Sequence, residues 1–360
     1  MIYLDANATE PLRPAARAAM LAALDQVGNP ASIHAAGRAA RALLEGARER
    51  IAARFGARAQ DVVFTSGGTE SNALAIGALG AGRRLIAGAT EHAAVLEAAP
   101  GAARLPVDTD GVADLAALES LLAGGEPALV CLMAANNETG TIQPVAEAAA
   151  LCRRHGALLH VDAVQAAGRM PVDLAALGAD SLALSGHKLG GPMGAGALLL
   201  APGSADRLVP LIRGGGQERG RRGGTPALPA VAGFAAAAEA EPPPLAPLRD
   251  AIEAAAVAQG AVVCGGGALR LANTTCLALP GVRAETQVIA LDLAGFQVSA
   301  GAACSSGKVA ASHVLAAMGL GDLAGQAIRV SLPWTATEAD AAAFIAAYAA
   351  MAGRLSRRAA

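Results

Sequence analysis

The tetrapeptide Ser185-Gly186-His187-Lys188 runs into the glycine-rich stretch Leu189-Gly190-Gly191-Pro192-Met193-Gly194-Ala195-Gly196. A lysine in a turn of small residues, just beyond an apolar run that reads as a strand, has an amine free to capture a bound aldehyde as a Schiff base. Upstream, Asp162 closes another apolar run in Val161-Asp162-Ala163-Val164-Gln165, and far downstream Cys304 sits in Ala302-Ala303-Cys304-Ser305-Ser306-Gly307. A carbonyl-capturing amine, a strand-end carboxylate and a thiol among small residues together point to pyridoxal phosphate chemistry on sulfur.

Each part has a plainer reading beside the chemical one. Thr65-Ser66-Gly67-Gly68-Thr69-Glu70-Ser71-Asn72-Ala73 passes from a strand through two glycines into a helix. There the backbone at Gly68 and the Thr69 hydroxyl would cradle a phosphate at the helix amino end, or the segment is simply a capped helix after a tight turn. Its spacing fits neither a P-loop nor a dinucleotide fingerprint. Asp162 either partners the ring nitrogen of a cofactor, making the ring an electron sink, or caps the next helix. Gln165 either reaches the cofactor's phenolic oxygen or lies on the surface. His92, after Thr90-Glu91, either stacks on the ring and handles protons near neutral pH or is structural. Lys188 must shed a proton to form an imine, against an ordinary pKa of about 10.4, and burial beside a cationic ring would lower it. Cys304 either attacks as a thiolate, its fraction raised by nearby Lys308 or His313, or packs in a small-residue turn. Cys131, Cys264 and Cys276 fall in apolar strand-like runs and Cys152 on a helix, where buried, inert thiols are expected.

The elements that must position these groups alternate. Runs at 61–65, 84–88, 128–133, 157–162, 181–185 and 197–200 read as buried strands separated by helix-length segments, the pattern of an α/β layer fold with a mostly parallel sheet. Such a sheet places its functional loops at the carboxyl ends of its strands. Five polar clusters follow predicted strands: Thr65 to Thr69, Glu91-His92, Asn136-Asn137-Glu138, Asp162 with Gln165, and Ser185 to Lys188. The stiff stretch Glu241-Pro242-Pro243-Pro244-Leu245-Ala246-Pro247 marks a linker. The expected division is a large cofactor-binding domain over 15–243 and a smaller α+β domain made of 1–14 and 244–360, which carries the Cys304 segment. In the smaller domain, helices are expected at 248–260, 285–294 and 338–355, and strands near 261–264 and 274–279.

Composition sets outer limits. With 360 residues and 54% hydrophobic content, the chain is long and apolar enough for two domains, and 43 glycines with only 2% aromatics imply cores of small, closely packed residues. A net charge of −2 with dispersed basic residues leaves no footprint for nucleic acid or an anionic membrane. The one dense basic group, Arg213, Arg219, Arg221 and Arg222, suits a solvated loop, an anionic ligand or a subunit contact. Five irregularly spaced cysteines argue against a disulfide framework or a zinc module and for a reducing compartment. The expectation is a cytoplasmic protein: the first residues lack a leader pattern, and the longest uncharged helical stretch, 341–353, is too short to span a bilayer.

Taken together these residues resemble the cysteine desulfurases of the NifS/IscS type, within the class V aminotransferases of pyridoxal phosphate fold type I. The resemblance runs through Tyr3-Leu4-Asp5-Ala6-Asn7-Ala8-Thr9, Gly28-Asn29-Pro30-Ala31-Ser32, Phe64 to Ala73, Thr90-Glu91-His92, Asn136 to Gly140 and His160 to Gln165. It continues through Ser185 to Lys188, Gly214 to Thr225, Ala302 to Ser306 and Ile328-Arg329-Val330-Ser331-Leu332. It implies conversion of L-cysteine to L-alanine, with Lys188 as Schiff-base lysine and proton shuttle and Cys304 receiving the sulfur as a persulfide. It further implies Asp162 on the ring nitrogen, Gln165 on the phenolic oxygen and His92 stacked on the ring. Gly68, Thr69, Ser185 and His187 would lie at the phosphate, and Asn137 and Arg329 on the substrate carboxylate. Thr225 would reach the phosphate of a neighbouring subunit, implying a homodimer with shared sites. A sulfur acceptor, an iron–sulfur scaffold or a sulfur shuttle, is the implied partner. The chain departs from the family pattern at Glu10, at Gly224, in the residues after Cys304 and in its short carboxyl terminus. The rival readings are selenocysteine lyase or another class V pyridoxal phosphate enzyme, and a non-enzymatic scaffold of an assembly complex.

Overall fold

The computed structural model describes residues 1–301 and 311–359. A seven-stranded sheet forms its centre, in the spatial order Val62–Thr65, Gly196–Leu200, Ser181–Ser185, Leu158–Asp162, Ala128–Met133, Arg84–Gly88, Ala103–Leu105. From Ser181–Ser185 outward through Leu158–Asp162 to Ala103–Leu105 every pairing is parallel. Gly196–Leu200 runs antiparallel to both of its neighbours, so its carboxyl end points away from the edge where the polar clusters gather. All six residues of Ala128–Met133 are buried, because the sheet is covered on both faces. Alternate residues feed two cores: Val130 and Leu132 pack with Leu44, Ile51 and Val161, while Leu129 and Cys131 pack with Leu74, Ala75 and Leu79 of helix Gly68–Leu79. The small-residue composition is used where helix Leu228–Ala238 packs on helix Pro14–Leu24. A Cβ on Gly233 would stand 2.5 Å from Met20 Cγ, a contact only glycine permits.

A second sheet, in the order Ser299–Ala300, Ala327–Ser331, Thr274–Ala278, Val262–Val263, is wholly antiparallel. Its core contains Ile252, Leu277, Ile328, Val330, Phe344 and Tyr348, with Phe296 and Phe344 edge to face at 5.7 Å. The amino-terminal strand Ile2–Tyr3 pairs in parallel with Phe296–Gln297, and Leu4 joins this second core. The helix after the prolines starts at Ala246, two residues before its expected start, because a proline in the first helical turn has no hydrogen bond to lose. No helix among the described residues is long and apolar enough to cross a membrane.

The arginine-rich segment is tied down from below. Glu218 accepts hydrogen bonds from Arg48 Nη1 at 2.6 Å, Arg48 Nη2 at 2.8 Å and the Phe64 amide at 2.8 Å, and both charged side chains are only 2% exposed. Glu218 and Arg219 both take positive φ, and the buried ion pair offsets that backbone cost. Arg222 forks onto Glu70 of helix Gly68–Leu79.

Candidate active site

At the carboxyl edge of the parallel strands lies a cavity of about 190 Å³ lined by Gly68, Thr69, His92, Asn137, Asp162, Gln165, Ser185, His187 and Lys188. Nine predicted site residues, drawn from five loops, therefore face one space. One end of it is built for an anion. Helix Gly68–Leu79 has no side-chain cap at its amino terminus, so its first amides stay available to a ligand. A Cβ at Gly68 would come within 2.6 Å of Val164 Cγ2, so only glycine lets the backbone approach so closely. Thr69 and Ser185 line the same cavity and bring a hydroxyl each. His187 meets Thr9 Oγ1 at 3.2 Å, and burial, with Lys188 and Arg169 nearby, pushes its pKa down to about 4, so it is a neutral hydrogen-bonding ring at pH 7.

Asp162 is buried at its strand end. Its Oδ1 accepts from the Val164 amide at 2.9 Å and its Oδ2 from Asn72 Nδ2 at 2.7 Å, leaving carboxylate lone pairs for a ring nitrogen. His92 caps a short helix: its Nδ1 accepts from the Ala94 amide at 3.1 Å, which leaves Nε2 to carry the proton. Burial lowers its pKa, so it is neutral and able to lie flat against an aromatic ring.

Lys188 Nζ donates to Asn7 O at 2.6 Å and Ala8 O at 3.0 Å. Burial first, then the Arg329 and Arg169 charges, lower its pKa from the ordinary 10.5 to about 8. About one amine in ten is then unprotonated at pH 7, against roughly one in three thousand for an unperturbed lysine. Gln165 Nε2 donates to the same Asn7 oxygen at 3.0 Å, while its Oε1 accepts from Arg169 Nη1. Arg169 is itself paired with Glu10 at 3.2 Å, both side chains nearly fully buried. The Glu10–Arg169 pair thus sets which way the Gln165 amide faces.

The donor set fits pyridoxal phosphate. Free helix amides and hydroxyls suit the phosphate, a buried carboxylate suits the ring nitrogen, a neutral imidazole suits the ring face, and a lysine of lowered pKa suits the aldehyde.

Two expected residues, Arg329 and Thr225, are absent from the lining of this cavity. Arg329 donates to Asn137 O at 3.1 Å and to Asp5 Oδ1 at 2.6 Å; it abuts the lining through Asn137, and its buried Nε has no partner among the described residues. Thr225 lines a separate cavity with Ser66, Gly194 and Arg222. Cys304 and Lys308 lie outside the described residues, and His313 meets Glu91 O at 3.0 Å. Cys131, Cys152, Cys264 and Cys276 are free and buried, as expected, and burial pushes Cys152 up to about 12.

The residues that support the lining were not anticipated. Asn72 and His160 support Asp162, Arg169 and Glu10 support Gln165, and Asn7 receives both Lys188 and Gln165. One signal was present: His160 is two residues before Asp162 in a strand and so shares its face.

Residues 2–243 match the model of the aminotransferase class-V family. An IscS-like cysteine desulfurase of Mycobacterium tuberculosis is 39% identical over 368 residues, covering 94% of this chain and 93% of that protein. A cysteine desulfurase of Cereibacter sphaeroides is 44% identical, with 94% and 92% covered. The X-ray structure of a NifS-like protein from Rickettsia africae superimposes with a TM-score of 0.86 at 34% identity, over 98% of this chain and 99% of that one.

Proposed function

The chain belongs to the aminotransferase class-V family and is a pyridoxal-phosphate-dependent cysteine desulfurase, and we propose that it works on L-cysteine with Lys188 moving the proton and Cys304 taking the sulfur. When bound, pyridoxal phosphate supplies an aldehyde that condenses with amines and a protonated ring that draws electrons from the substrate's α-carbon. The Gly68 backbone, Thr69, Ser185 and His187 hold the phosphate; Asp162 holds the ring nitrogen, Gln165 the phenolic oxygen and His92 the ring face. Asn137 and Arg329 hold the substrate carboxylate, for which the planar arginine fork is suited. Lys188, its amine partly unprotonated at neutral pH, takes the proton from the α-carbon. The Cys304 thiolate attacks the substrate sulfur: a sulfur–sulfur bond forms, the carbon–sulfur bond breaks, and the three-carbon residue gains protons to leave as alanine.

The observation that carries this reading is the single cavity where Lys188, Asp162, Gln165, His92 and the anion end converge. Thr225, which lines a different cavity within one chain, serves the phosphate of a second copy in a homodimer. The persulfide passes to an iron–sulfur scaffold or sulfur-shuttle protein in the cytoplasm, a reading supported by five cysteines with no disulfide pattern. The division into 15–243 and the pair 1–14 with 244–360 is retained, supported by the separate second core. The test is alanine release from L-cysteine by the loaded protein with a reductant present. The native chain releases alanine and Lys188→Ala does not; a loaded native chain that releases none refutes the reading.

A further inference from the structure

From the cavity wall inward, four buried polar side chains form a line that starts at Asp162 and Asn72, which border the cavity, and ends at His160 and Ser181 behind it. Ser181 Oγ stands 2.8 Å from His160 Nδ1, His160 Nε2 stands 2.9 Å from Asn72 Oδ1, and Asn72 Nδ2 stands 2.7 Å from Asp162 Oδ2. Ser181 and His160 are 0% exposed and Asn72 1%. The three outer members come from different elements: Ser181 from strand Ser181–Ser185, His160 from strand Leu158–Asp162 and Asn72 from helix Gly68–Leu79.

Chemistry gives this line one direction. A carboxylate only accepts, so the Asn72 amide must turn its NH₂ to Asp162 and its oxygen to His160. That oxygen needs a donor, so His160 carries its proton on Nε2. Burial pushes the His160 pKa down to about 3, so the ring is neutral, its Nδ1 is an acceptor, and the Ser181 hydroxyl must donate to it. We infer that Ser181, His160 and Asn72 form a one-way hydrogen-bond chain that positions the Asp162 carboxylate for the cofactor's ring nitrogen. Each donor in it is polarised toward the carboxylate, which strengthens the final bond. The helix whose amino end borders the cavity is thereby tied to the Asp162 carboxylate. Ser181 and His160 lie outside the cavity lining, and Asn72, which borders the cavity, spends its amide on Asp162 and His160, so the three act as positioning residues. The inference rests on the pyridoxal phosphate reading of the cavity.

Two measurements test it. In ¹⁵N-histidine-labelled, cofactor-free protein, His160 is expected as the neutral Nε2–H tautomer between about pH 6 and 8. A charged ring or an Nδ1–H tautomer overturns the direction of the chain. The second measurement is the dissociation constant for pyridoxal phosphate, followed by the visible absorbance of the bound form. Asn72→Leu, which removes a hydrogen bond to a charged group, weakens binding by roughly tenfold to a hundredfold. His160→Leu weakens it less, and His160→Gln, whose Nε2 can still donate to Asn72, restores most of the loss. Ser181→Ala, a change small enough to leave the core packed, gives about a twofold effect. If His160→Gln is as impaired as His160→Leu while both melt like the native chain, the chain is packing only and the inference fails. If the native protein binds the cofactor and every variant binds it equally, the inference alone fails; if the native protein does not bind it, the cofactor reading fails with it.

Discussion

Lys188 should make the cofactor-free protein less stable at neutral pH than in alkali. Its amine titrates at about 8 in the fold against 10.5 when unperturbed, chiefly through burial. Between those values the unfolded chain binds the extra proton, so stability rises with pH across the window and the deficit is fully present below about 8. Integrating the two titrations from pH 7 to pH 10 gives a gain of about 2.5 kcal/mol. Other groups titrate in the same range, so the useful quantity is the difference between the native protein and Lys188→Met. Urea unfolding of both, without cofactor, at several pH values supplies it. The variant should be the more stable by a margin that shrinks by about 2.5 kcal/mol as pH rises from 7 to 10. Loss of the hydrogen bonds to Asn7 and Ala8 shifts the whole curve but not its slope. A margin constant with pH would refute the lowered pKa, and with it the account of how this amine is ready to react at pH 7.

Two further expectations concern the frame and the thiols. Glu218→Ala removes the buried two-pronged partner of Arg48 and leaves that buried charge only Glu45 as an ion-pair partner, at 3.2 Å, and should cost about 3–5 kcal/mol in urea unfolding; a change under about 1 kcal/mol would place the pair among the weak surface ones. In Cys304→Ser, the remaining cysteines are buried, so a thiol reagent should find less than one fast-reacting equivalent until denaturant is added. A rapid reaction in the folded variant would contradict that burial.

Much of the frame was legible because strands covered on both faces are mostly apolar. Ala128–Met133, Arg84–Gly88 and Ser181–Ser185 were foreseen at their observed limits. Ala103–Leu105 was not, since a three-residue edge strand with one exposed position leaves no run to detect. That Gly196–Leu200 is antiparallel was equally hidden, because direction depends on pairing and not on composition. The lining of the cavity was legible because each polar cluster ends an apolar run. Its supports were not: Asn72 meets Asp162 across 90 positions and Arg329 meets Asp5 across 324, contacts that no local pattern encodes. Thr225 was named from resemblance, and in the single chain it faces a different cavity from Lys188.

The most direct test of the central claim follows the sulfur itself. The loaded protein is given a limiting amount of L-cysteine without reductant, digested, and its peptides weighed. The account predicts one added sulfur atom on the peptide containing Cys304, matched by released alanine, and neither product from Cys304→Ser. Added sulfur on a peptide carrying Cys131, Cys152, Cys264 or Cys276 instead, or undiminished alanine from Cys304→Ser, would contradict it.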